Sequence, residues 1–388
     1  MLLTLAIANY RSLRQLVIPL SRLNLVTGPN GSGKSSLYRA LRLLAETSTG
    51  GLVPALAREG GLPSTLWAGP ESFGRKVLSG EYEVQGTVRS KSVSLKLGFS
   101  TEDFGYLCDL GLPPPVPASA FMLDPELKRE WIFTGESPRP SALLVDRNGP
   151  AVRARTVGGS WDALPLRLAP FESVMAHCSD PGRTPELLSL RERMRAWRFY
   201  DHFRTDAGAP ARQAQIGTHT PILNHDGADL AAAVQTIHEI GDRQAFAETI
   251  DDAFPGARVR VEVAAGRFSL VMEQHGLLRP LQVAELSDGT LRFLLLATAL
   301  HSPRPPELLI LNEPETSLHP DLLPALGRLI VSAAERSQVI VVSHAVALVG
   351  ALAENPDCAV VALEKRLGET HVVGSGPLDR PAWTWPER

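Results

Sequence analysis

The chain contains 388 residues, of which 44% are hydrophobic and 21% are charged, and its formal net charge is −3 at pH 7. This balance is ordinary for a globular protein and gives no reason to expect a polyanionic partner. The three cysteines lack C-x-x-C spacing, which argues against a zinc site and a disulfide framework. With no signal peptide and no apolar run of about 18 residues, we expect a cytoplasmic protein without a membrane span. At this length, we expect one large domain with an insertion, or two lobes.

The first 46 residues predict two strands and then a strand, a loop and a helix. The strand, residues 23–27, is followed by the sequence GPNGSGKS, which fits the phosphate-loop pattern G-x-x-x-x-G-K-[S/T]. In such a loop backbone N–H groups surround phosphate oxygens, Lys34 reaches the β- and γ-phosphates, and Ser35 can ligate Mg²⁺. The start of the following helix also favours an anion. The predicted nucleotide contacts are Gly28, Pro29, Asn30, Gly31, Ser32, Gly33, Lys34, Ser35 and Ser36.

Residues 48–180 have a different pattern, typical of antiparallel strands. The predicted strands are residues 81–88, 92–99, 131–134 and 142–145. A proline-rich stretch, residues 112–117, predicts an extended connection because proline neither donates to a strand ladder nor continues a helix. We therefore expect a β-rich lobe inserted after the phosphate loop.

Helices then dominate up to residue 254, and a hairpin follows. The predicted helices are residues 185–203, 227–240 and 242–254, and the hairpin strands are residues 258–264 and 267–273. The first helix carries Arg191, Arg193, Arg195 and Arg198 beside aromatic residues. Such a face could contact a nucleic-acid backbone, but a solvated helix face is the commoner explanation.

From residue 281 onward, helices alternate with fully apolar strands, which predicts a parallel sheet covered on both faces. The strands are residues 307–311 and 338–342, and the helices are residues 291–300, 321–336 and 345–353. The phosphate loop must join this sheet, so the two ends of the chain are expected to fold together. The predicted segments are residues 1–47 and 281–388 for the head, 48–180 for the β-rich lobe, and 181–280 for a helical and hairpin insertion.

Polar residues follow the two C-terminal strands at the sheet edge where open α/β sheets bind ligands. Glu313 is placed to act as the general base that activates water, although a solvated turn would have the same sequence. His344 ends the next strand and is predicted to sense the γ-phosphate, although a lone histidine is more often structural. Ser287 and Gly289 open a helix and can present a hydroxyl and N–H groups to an anion.

In this order the motifs resemble those of ABC-superfamily ATPases, in the branch of RecF, structural-maintenance-of-chromosomes (SMC) and overcoming-lysogenization-defect proteins. The resemblance is to stand-alone AAA-type ATPases with a split head in particular. Residues 8–13 are similar to the branch's N-terminal strand, 28–35 to Walker A, 286–290 to the signature motif, 308–313 to Walker B and 317–320 to the D-loop, and His344 is similar to the switch histidine.

The resemblance implies a homodimer that holds ATP between the Walker motifs of one head and Ser287 and Gly289 of the other. It assigns Mg²⁺ to Ser35 and, through a water molecule, to Asn312. Asn312 departs from the usual aspartate, which predicts weak metal binding and turnover. Asp288 and Thr290 also depart from the transporter-type signature. The glutamine loop is not located, and the candidates are Gln85, Gln213 and Gln215.

These features predict an ATPase, with Glu313, His344 and Lys34 as catalytic residues, that dimerises around ATP to switch an interaction with DNA or with a separately encoded effector, in repair or defence. Asn312 motivates one alternative, a nucleotide-gated clamp that scarcely hydrolyses ATP. The energy subunit of a membrane transporter is a second alternative, which the β-rich insertion disfavours.

Overall fold

The computed structural model describes residues 1–72, 77, 93–114 and 119–387. The strands are β1 (Leu2–Tyr10), β2 (Leu13–Pro19), β3 (Leu23–Thr27), β4 (Leu95–Thr101), β5 (Phe104–Gly111), β6 (Glu126–Thr134), β7 (Leu143–Asn148), β8 (Ala151–Arg155), β9 (Trp161–Arg167), β10 (Arg198–Tyr200), β11 (Gln215–Ile216), β12 (Arg258–Ala264), β13 (Arg267–Glu273), β14 (Leu281–Gln282), β15 (Leu308–Asn312), β16 (Gln338–Val342), β17 (Cys358–Arg366) and β18 (Glu369–Val372). The α-helices are α1 (Lys34–Thr47), α2 (Leu52–Arg58), α3 (Leu62–Thr65), α4 (Val174–His177), α5 (Pro185–Arg195), α6 (Leu230–Ile240), α7 (Arg243–Ala253), α8 (Asp288–Leu300), α9 (Leu323–Ala334) and α10 (Val346–Ala353).

The chain divides into two compact units, and each is built from separate stretches of sequence. The first unit contains residues 1, 21–29 and 196–362, and the second contains residues 2–20, 30–195 and 363–388. The chain passes from the first unit to the second within the phosphate loop. The four sequential segments expected from the sequence stay a prediction, because the two units are defined by contacts between residues and not by sequence order.

The first unit is built on a parallel sheet with the strand order β10-β15-β16-β3-β17. The central strands are apolar and buried, since residues of α6 to α10 and of the sheet share one hydrophobic core. Strand β17 leaves this unit after Ala362, and its remaining residues pair with β18 in the second unit. The predicted α/β fold with a mostly parallel central sheet is confirmed.

The segment before this sheet corrects one prediction. The sequence predicted a continuous helix over residues 185–203, but α5 ends at Arg195, and Arg198–Tyr200 form β10, which pairs in parallel with β15. The aromatic residues Phe199 and Tyr200 suit a strand, and pairing to the edge of β15 outweighs the helical periodicity. This change brings the residue that follows Tyr200 to the end of the sheet.

A smaller sheet, with the order β11-β13-β12 and β14 beside β13, completes the first unit. The predicted hairpin of residues 258–264 and 267–273 occurs with those bounds as β12 and β13. The helices predicted over residues 227–240 and 242–254 occur as α6 and α7. This part of the chain contributes Phe246 and Ile250 to the hydrophobic core.

The second unit contains an antiparallel sheet with the order β2-β1-β4-β5-β6-β7-β8-β9. The strands predicted over residues 92–99, 131–134 and 142–145 correspond to β4, β6 and β7, with shifted bounds. The strand predicted over residues 81–88 lies outside the described residues, as do residues 115–118 of the proline-rich connection. Near the C-terminus, the ring of Trp383 packs 5.9 Å from that of Phe133, so the tail is fixed to the sheet.

A buried ion pair lies inside this antiparallel sheet. Glu130 on β6 and Arg147 on β7 both have fully buried side chains and contact each other through Oε2 and Nη1 at 2.5 Å. The other Glu130 oxygen, Oε1, accepts hydrogen bonds from Tyr106 Oη at 2.7 Å and Ser173 Oγ at 2.5 Å. The Val174 N–H donates to Oε2 at 2.9 Å, so both carboxylate oxygens have partners.

Candidate nucleotide-binding site

Four parallel strands of the first unit end at one edge of its sheet. Gly28 follows β3, His344 follows β16 after one residue, Asn312 and Glu313 lie at the end of β15, and Asp201 follows β10. The strands are in register up to this edge, since the Glu313 N–H donates to the Val342 carbonyl oxygen at 2.8 Å. The fold therefore gathers the start of the phosphate loop and the predicted catalytic residues of the C-terminal half.

The phosphate loop depends on its glycines. Gly28, Gly31 and Gly33 have positive φ angles of 146°, 78° and 109°, which residues with a Cβ atom rarely adopt. In the second unit, α1 begins at Lys34 without a side-chain cap on its N-terminus. The first N–H groups of a helix have no intrahelical partner, so this end suits an anion.

In the second unit, Thr370 supports the loop from β18. Its hydroxyl oxygen lies 2.8 Å from both the Ser32 carbonyl oxygen and the Ser12 hydroxyl. A Cβ atom added at Gly33 would lie 2.3 Å from that same Thr370 oxygen, so position 33 excludes any larger residue on two grounds. Ser32 Oγ is buried, and within the described part of the chain it neither donates nor accepts a hydrogen bond. No local sequence pattern indicates Thr370, because it lies 338 residues from Ser32.

Glu313 and His344 face each other at the strand edge of the first unit. His344 Nδ1 lies 3.7 Å from Glu313 Oε1, and their side chains are 50% and 40% exposed. Glu313 has a left-handed backbone with φ of 47°, a conformation that costs free energy and is found at functional sites. Both side chains are therefore accessible to a reactant, and the chain is strained where the general base was predicted.

Glu315, whose role the sequence does not predict, holds the loop that carries His344. Its Oε1 accepts hydrogen bonds from Ser343 Oγ at 2.7 Å and from the His344 N–H at 3.1 Å. The same oxygen lies 3.5 Å from His344 Nδ1. The only signal in the sequence is a second carboxylate two residues after Glu313, a spacing that does not reveal its burial.

Asn312 combines one satisfied and one unsatisfied polar atom. Its Nδ2 donates to Asp201 Oδ1 at 2.9 Å. Its Oδ1 is buried and receives no hydrogen bond from the residues that the structure describes. An amide oxygen with available lone pairs, next to a carboxylate, fits a hydrated Mg²⁺ ion, because magnesium takes oxygen ligands and retains several water molecules.

Arg292 connects helix α8 to this edge. Its Nη2 donates to the Asp201 and Glu313 carbonyl oxygens at 3.1 and 3.4 Å. Burial lowers the pKa of Arg292 from its ordinary value, whereas the charges of Asp201 and Glu315 act in the opposite direction. The helix that begins with the predicted signature motif is thus bonded to the main chain on which Glu313 lies.

The predicted signature residues lie at the N-terminus of the same helix. Ser287 is exposed, and its Oγ caps α8 by accepting from the Thr290 N–H at 3.1 Å. A Cβ atom added at Gly289 would lie 2.9 Å from the Ser317 carbonyl oxygen, so the close approach of the predicted D-loop requires glycine there. Arg212 fixes the motif further, since its Nη2 lies 2.9 Å from Asp288 Oδ1.

Neither of the two described glutamine candidates lies at the strand edge. Gln213 follows a 3₁₀ turn, and Gln215 lies in β11 of the smaller sheet, whereas Gln85 lies outside the described residues.

Three arginines of α5 bond to other residues of the second unit, to which this helix belongs. Arg191 donates to the Cys178 carbonyl oxygen at 3.0 Å, and Arg195 donates to the Ser48 carbonyl oxygen at 3.1 Å. Arg193 lies 3.6 Å from Asp103. These contacts favour a packed and solvated helix face over a nucleic-acid surface.

The parallel sheet, the glycine loop and the polar strand ends have the arrangement of a P-loop NTPase fold. The chain belongs to the family described as "AAA domain, putative AbiEii toxin, Type IV TA system", which it matches over residues 23–350. No curated protein sequence is similar enough to match.

Three solved structures that match nearly the whole chain are head domains of SMC proteins. An SMC head bound to the C-terminal winged-helix domain of ScpA is 14% identical, with a TM-score of 0.52 over 96% of this chain and 97% of that chain. The SMC head domain from Thermotoga maritima is 14% identical, with a TM-score of 0.45 over 97% and 99% of the two chains. An SMC head from Pyrococcus furiosus with an extended coiled coil, bound to the C-terminal domain of ScpA, is 13% identical, with a TM-score of 0.48 over 96% and 95%.

The family model and the first of these structures confirm the resemblance to ABC-superfamily ATPases of the SMC-like branch. The family is one of AAA-domain proteins, and the first of these structures has the fold of an SMC head. Within the part of the chain that the structure describes, no helix is long and apolar enough to cross a membrane.

Proposed function

We propose that the chain binds ATP with Mg²⁺ and hydrolyses it, and that nucleotide-dependent dimerisation switches an interaction with DNA or with a separately encoded protein. The observation that carries the proposal is the common edge of β3, β16 and β15, where the start of the phosphate loop, His344 and Glu313 follow neighbouring strands. Membership of an AAA-type ATPase family supports the same activity.

Each predicted residue then has a chemical role. The loop from Gly28 to Ser36 surrounds the phosphates, and Lys34 neutralises charge on the β- and γ-phosphates. Ser35 and, through a water molecule, Asn312 hold Mg²⁺, which neutralises the charge that develops during phosphoryl transfer. Glu313 accepts the proton of the attacking water, and His344, 3.7 Å from Glu313, contacts the γ-phosphate.

The exposed Ser287 supports the proposed dimerisation. Ser287 is exposed at the N-terminus of α8, a position that favours an anion. In the proposed dimer, Ser287 and Gly289 contact the ATP held by the partner copy, and hydrolysis releases the two copies. The partner controlled by this cycle is DNA or an effector protein.

Asn312 supports a second candidate, a clamp that holds ATP and scarcely hydrolyses it. A neutral amide stands where a charged carboxylate usually holds the metal-bound water, so turnover would be slow. The two candidates share the binding site and differ in steady-state phosphate release, which is near background for the clamp.

The family's description also names a toxin of a type IV toxin–antitoxin system. Of the two biological settings that the sequence left open, this description supports defence over repair. Growth arrest on expression of the wild-type chain, relieved by Lys34→Ala, would be the corresponding observation in cells.

The proposal is tested by ATP binding in the presence of Mg²⁺, measured by calorimetry on the wild type and on Lys34→Ala. We expect Lys34→Ala to abolish binding, because the loop loses its positive charge, and to remain monomeric with ATP in analytical ultracentrifugation. The exposed Lys365 gives a matched control, and Lys365→Ala should bind as the wild type does. Equal ATP affinity of Lys34→Ala and Lys365→Ala would contradict the proposed site.

A further inference from the structure

We infer that Asp201 supplies the carboxylate that position 312 lacks, so that the charge next to the predicted magnesium site comes from the neighbouring strand. This inference rests on the proposed function, because it concerns the metal that accompanies ATP. It starts from two features. Position 312 holds asparagine where the usual motif has aspartate, and strand β10, which the sequence did not predict, pairs with the strand that ends there.

Register places the two side chains together. Strands β10 and β15 are parallel and pair Tyr200 with Leu311, so the next residues, Asp201 and Asn312, lie at the same level at the end of the sheet. Their side chains meet, with Asn312 Nδ2 donating to Asp201 Oδ1 at 2.9 Å. The pair therefore presents one amide and one carboxylate where the usual motif presents a carboxylate alone.

The hydrogen bond also fixes the orientation of the amide. Because Nδ2 is directed to Asp201, the Asn312 oxygen Oδ1 is left buried and without a hydrogen bond from any described residue. A buried acceptor without a partner is costly, which indicates that Oδ1 receives a donor when the site is filled. A water molecule bound to Mg²⁺ is such a donor, and its charge is balanced by the carboxylate that holds the amide.

Asp201 is held in place by the main chain. The Asp201 carbonyl oxygen accepts from Arg292 Nη2 at 3.1 Å, and the same guanidinium contacts the Glu313 carbonyl oxygen at 3.4 Å. This bridge keeps the end of β10 level with the end of β15. Asp201 is therefore a positioning residue for Asn312 and a source of negative charge for the metal.

The inference is tested by the affinity for a non-hydrolysable ATP analogue, measured by calorimetry in EDTA and at rising Mg²⁺ concentrations. Mg²⁺ should strengthen binding of the analogue, and we expect Asp201→Asn to raise the Mg²⁺ concentration that gives half of this effect by at least about tenfold. This is the usual effect of losing a group that hydrogen-bonds to a metal ligand. Binding in EDTA should stay equal or become tighter, because a negative charge near the triphosphate is removed. A purely structural role would weaken binding equally in both conditions.

Three further variants complete the test. The exchange Asp201→Asn with Asn312→Asp keeps one amide and one carboxylate, and we expect it to recover the wild-type magnesium dependence. Asn312→Asp alone places two carboxylates side by side and should not increase magnesium affinity or turnover. Asp206→Asn, which removes an exposed partner of Arg204, is the matched control and should behave as the wild type.

The outcomes separate this inference from the proposed function. If the wild type binds the analogue with a magnesium dependence that Asp201→Asn and the exchange variant leave unchanged, Asp201 has no role at the metal and the proposed function stands. If Asn312→Asp alone strengthens magnesium binding, position 312 acts without Asp201 and the inference is wrong. If the wild type binds no nucleotide under either condition, the proposed function and this inference both fail. Should Asp201→Asn not fold, the exchange variant decides the question by itself.

Discussion

Two regions of the molecule each bring a carboxylate and an arginine together, with opposite results. In the antiparallel sheet of the second unit, Glu130 and Arg147 are fully buried, and both Glu130 oxygens have hydrogen-bond partners. At the strand edge of the first unit, Glu313 is 40% exposed, and its strained backbone contacts Arg292 only through a carbonyl oxygen. The first arrangement is closed, whereas the second leaves its carboxylate available to a reactant.

The difference shows how a structural charge is distinguished from a functional one. A buried charge is tolerated when every polar atom of the group is satisfied, and removing one partner is then strongly destabilising. Functional sites often keep polar atoms unsatisfied until a ligand arrives, and within the described residues Asn312 Oδ1 and Glu315 Oε2 have no hydrogen-bond partner. Substitutions should therefore change stability in the closed region and activity at the open edge.

The largest effect is expected for Glu313→Gln at the open edge. Loss of a general base typically lowers the rate by about 10²–10⁴-fold, so ATP turnover should fall by that factor. ATP affinity should be retained, and an ATP-bound dimer should accumulate in size-exclusion chromatography because the complex is not hydrolysed. The free energy of unfolding should change by less than about 0.5 kcal/mol, since the side chain is not buried.

Glu354→Gln is the matched control, because Glu354 is an exposed carboxylate of the same unit at the end of α10. It should retain the wild-type rate of phosphate release. If Glu313→Gln also hydrolyses ATP at the normal rate, Glu313 is not the base, and the contrast between an open and a closed carboxylate has no catalytic meaning.

The next largest effect is expected for Arg147→Met in the closed region. This change leaves the Glu130 carboxylate buried without its cation, which costs about 3–5 kcal/mol of unfolding free energy in urea denaturation. The additional change Glu130→Gln should recover part of the loss, because the buried charge is then removed as well. Arg139→Met, at an exposed arginine that donates to Ser137, should cost less than about 1 kcal/mol. Equal stabilities of the Arg147 and Arg139 variants would show that the buried ion pair does not stabilise the second unit.

The sequence predicted the residues of the site that belong to continuous motifs. The phosphate loop, Asn312, Glu313 and His344 each lie at the end of an apolar strand or within two residues of it, so local pattern alone locates them. The parallel sheet follows from the same strands. The roles proposed for these residues stay predictions, since they concern a bound nucleotide.

The residues that the sequence missed act across long separations. Asp201 meets Asn312 across 111 positions, and Thr370 meets Ser32 across 338. Their contacts depend on strand pairing, and a pattern within one segment contains no information about which strands become neighbours. Strand β10 was hidden for the same reason, because its three residues continue a helical pattern and become a strand only against β15.

The smallest effect is expected for a buried histidine in the first unit, the unit that also contains the strand edge with Glu313. His301, at the end of α8, is buried, lies 2.8 Å from Thr249 Oγ1 through Nε2, and packs edge-on against Phe246. Burial, and then the charge of Arg336, lower the pKa of His301 to about 4, whereas Asp242 raises it. Between this value and the ordinary histidine pKa of about 6.5, the unfolded chain binds a proton that the folded chain does not, so stability falls as pH falls through this window. The loss approaches about 3 kcal/mol below pH 4, at roughly 1.4 kcal/mol for each pKa unit.

Urea denaturation at pH 7 and pH 4.5 should therefore show a smaller pH dependence of the unfolding free energy for His301→Gln than for the wild type. The control is His319→Gln, at a histidine with a 71% exposed side chain, which should follow the wild type. If all three proteins lose the same free energy between these pH values, His301 is not held neutral in the core, and satisfied burial does not account for its environment.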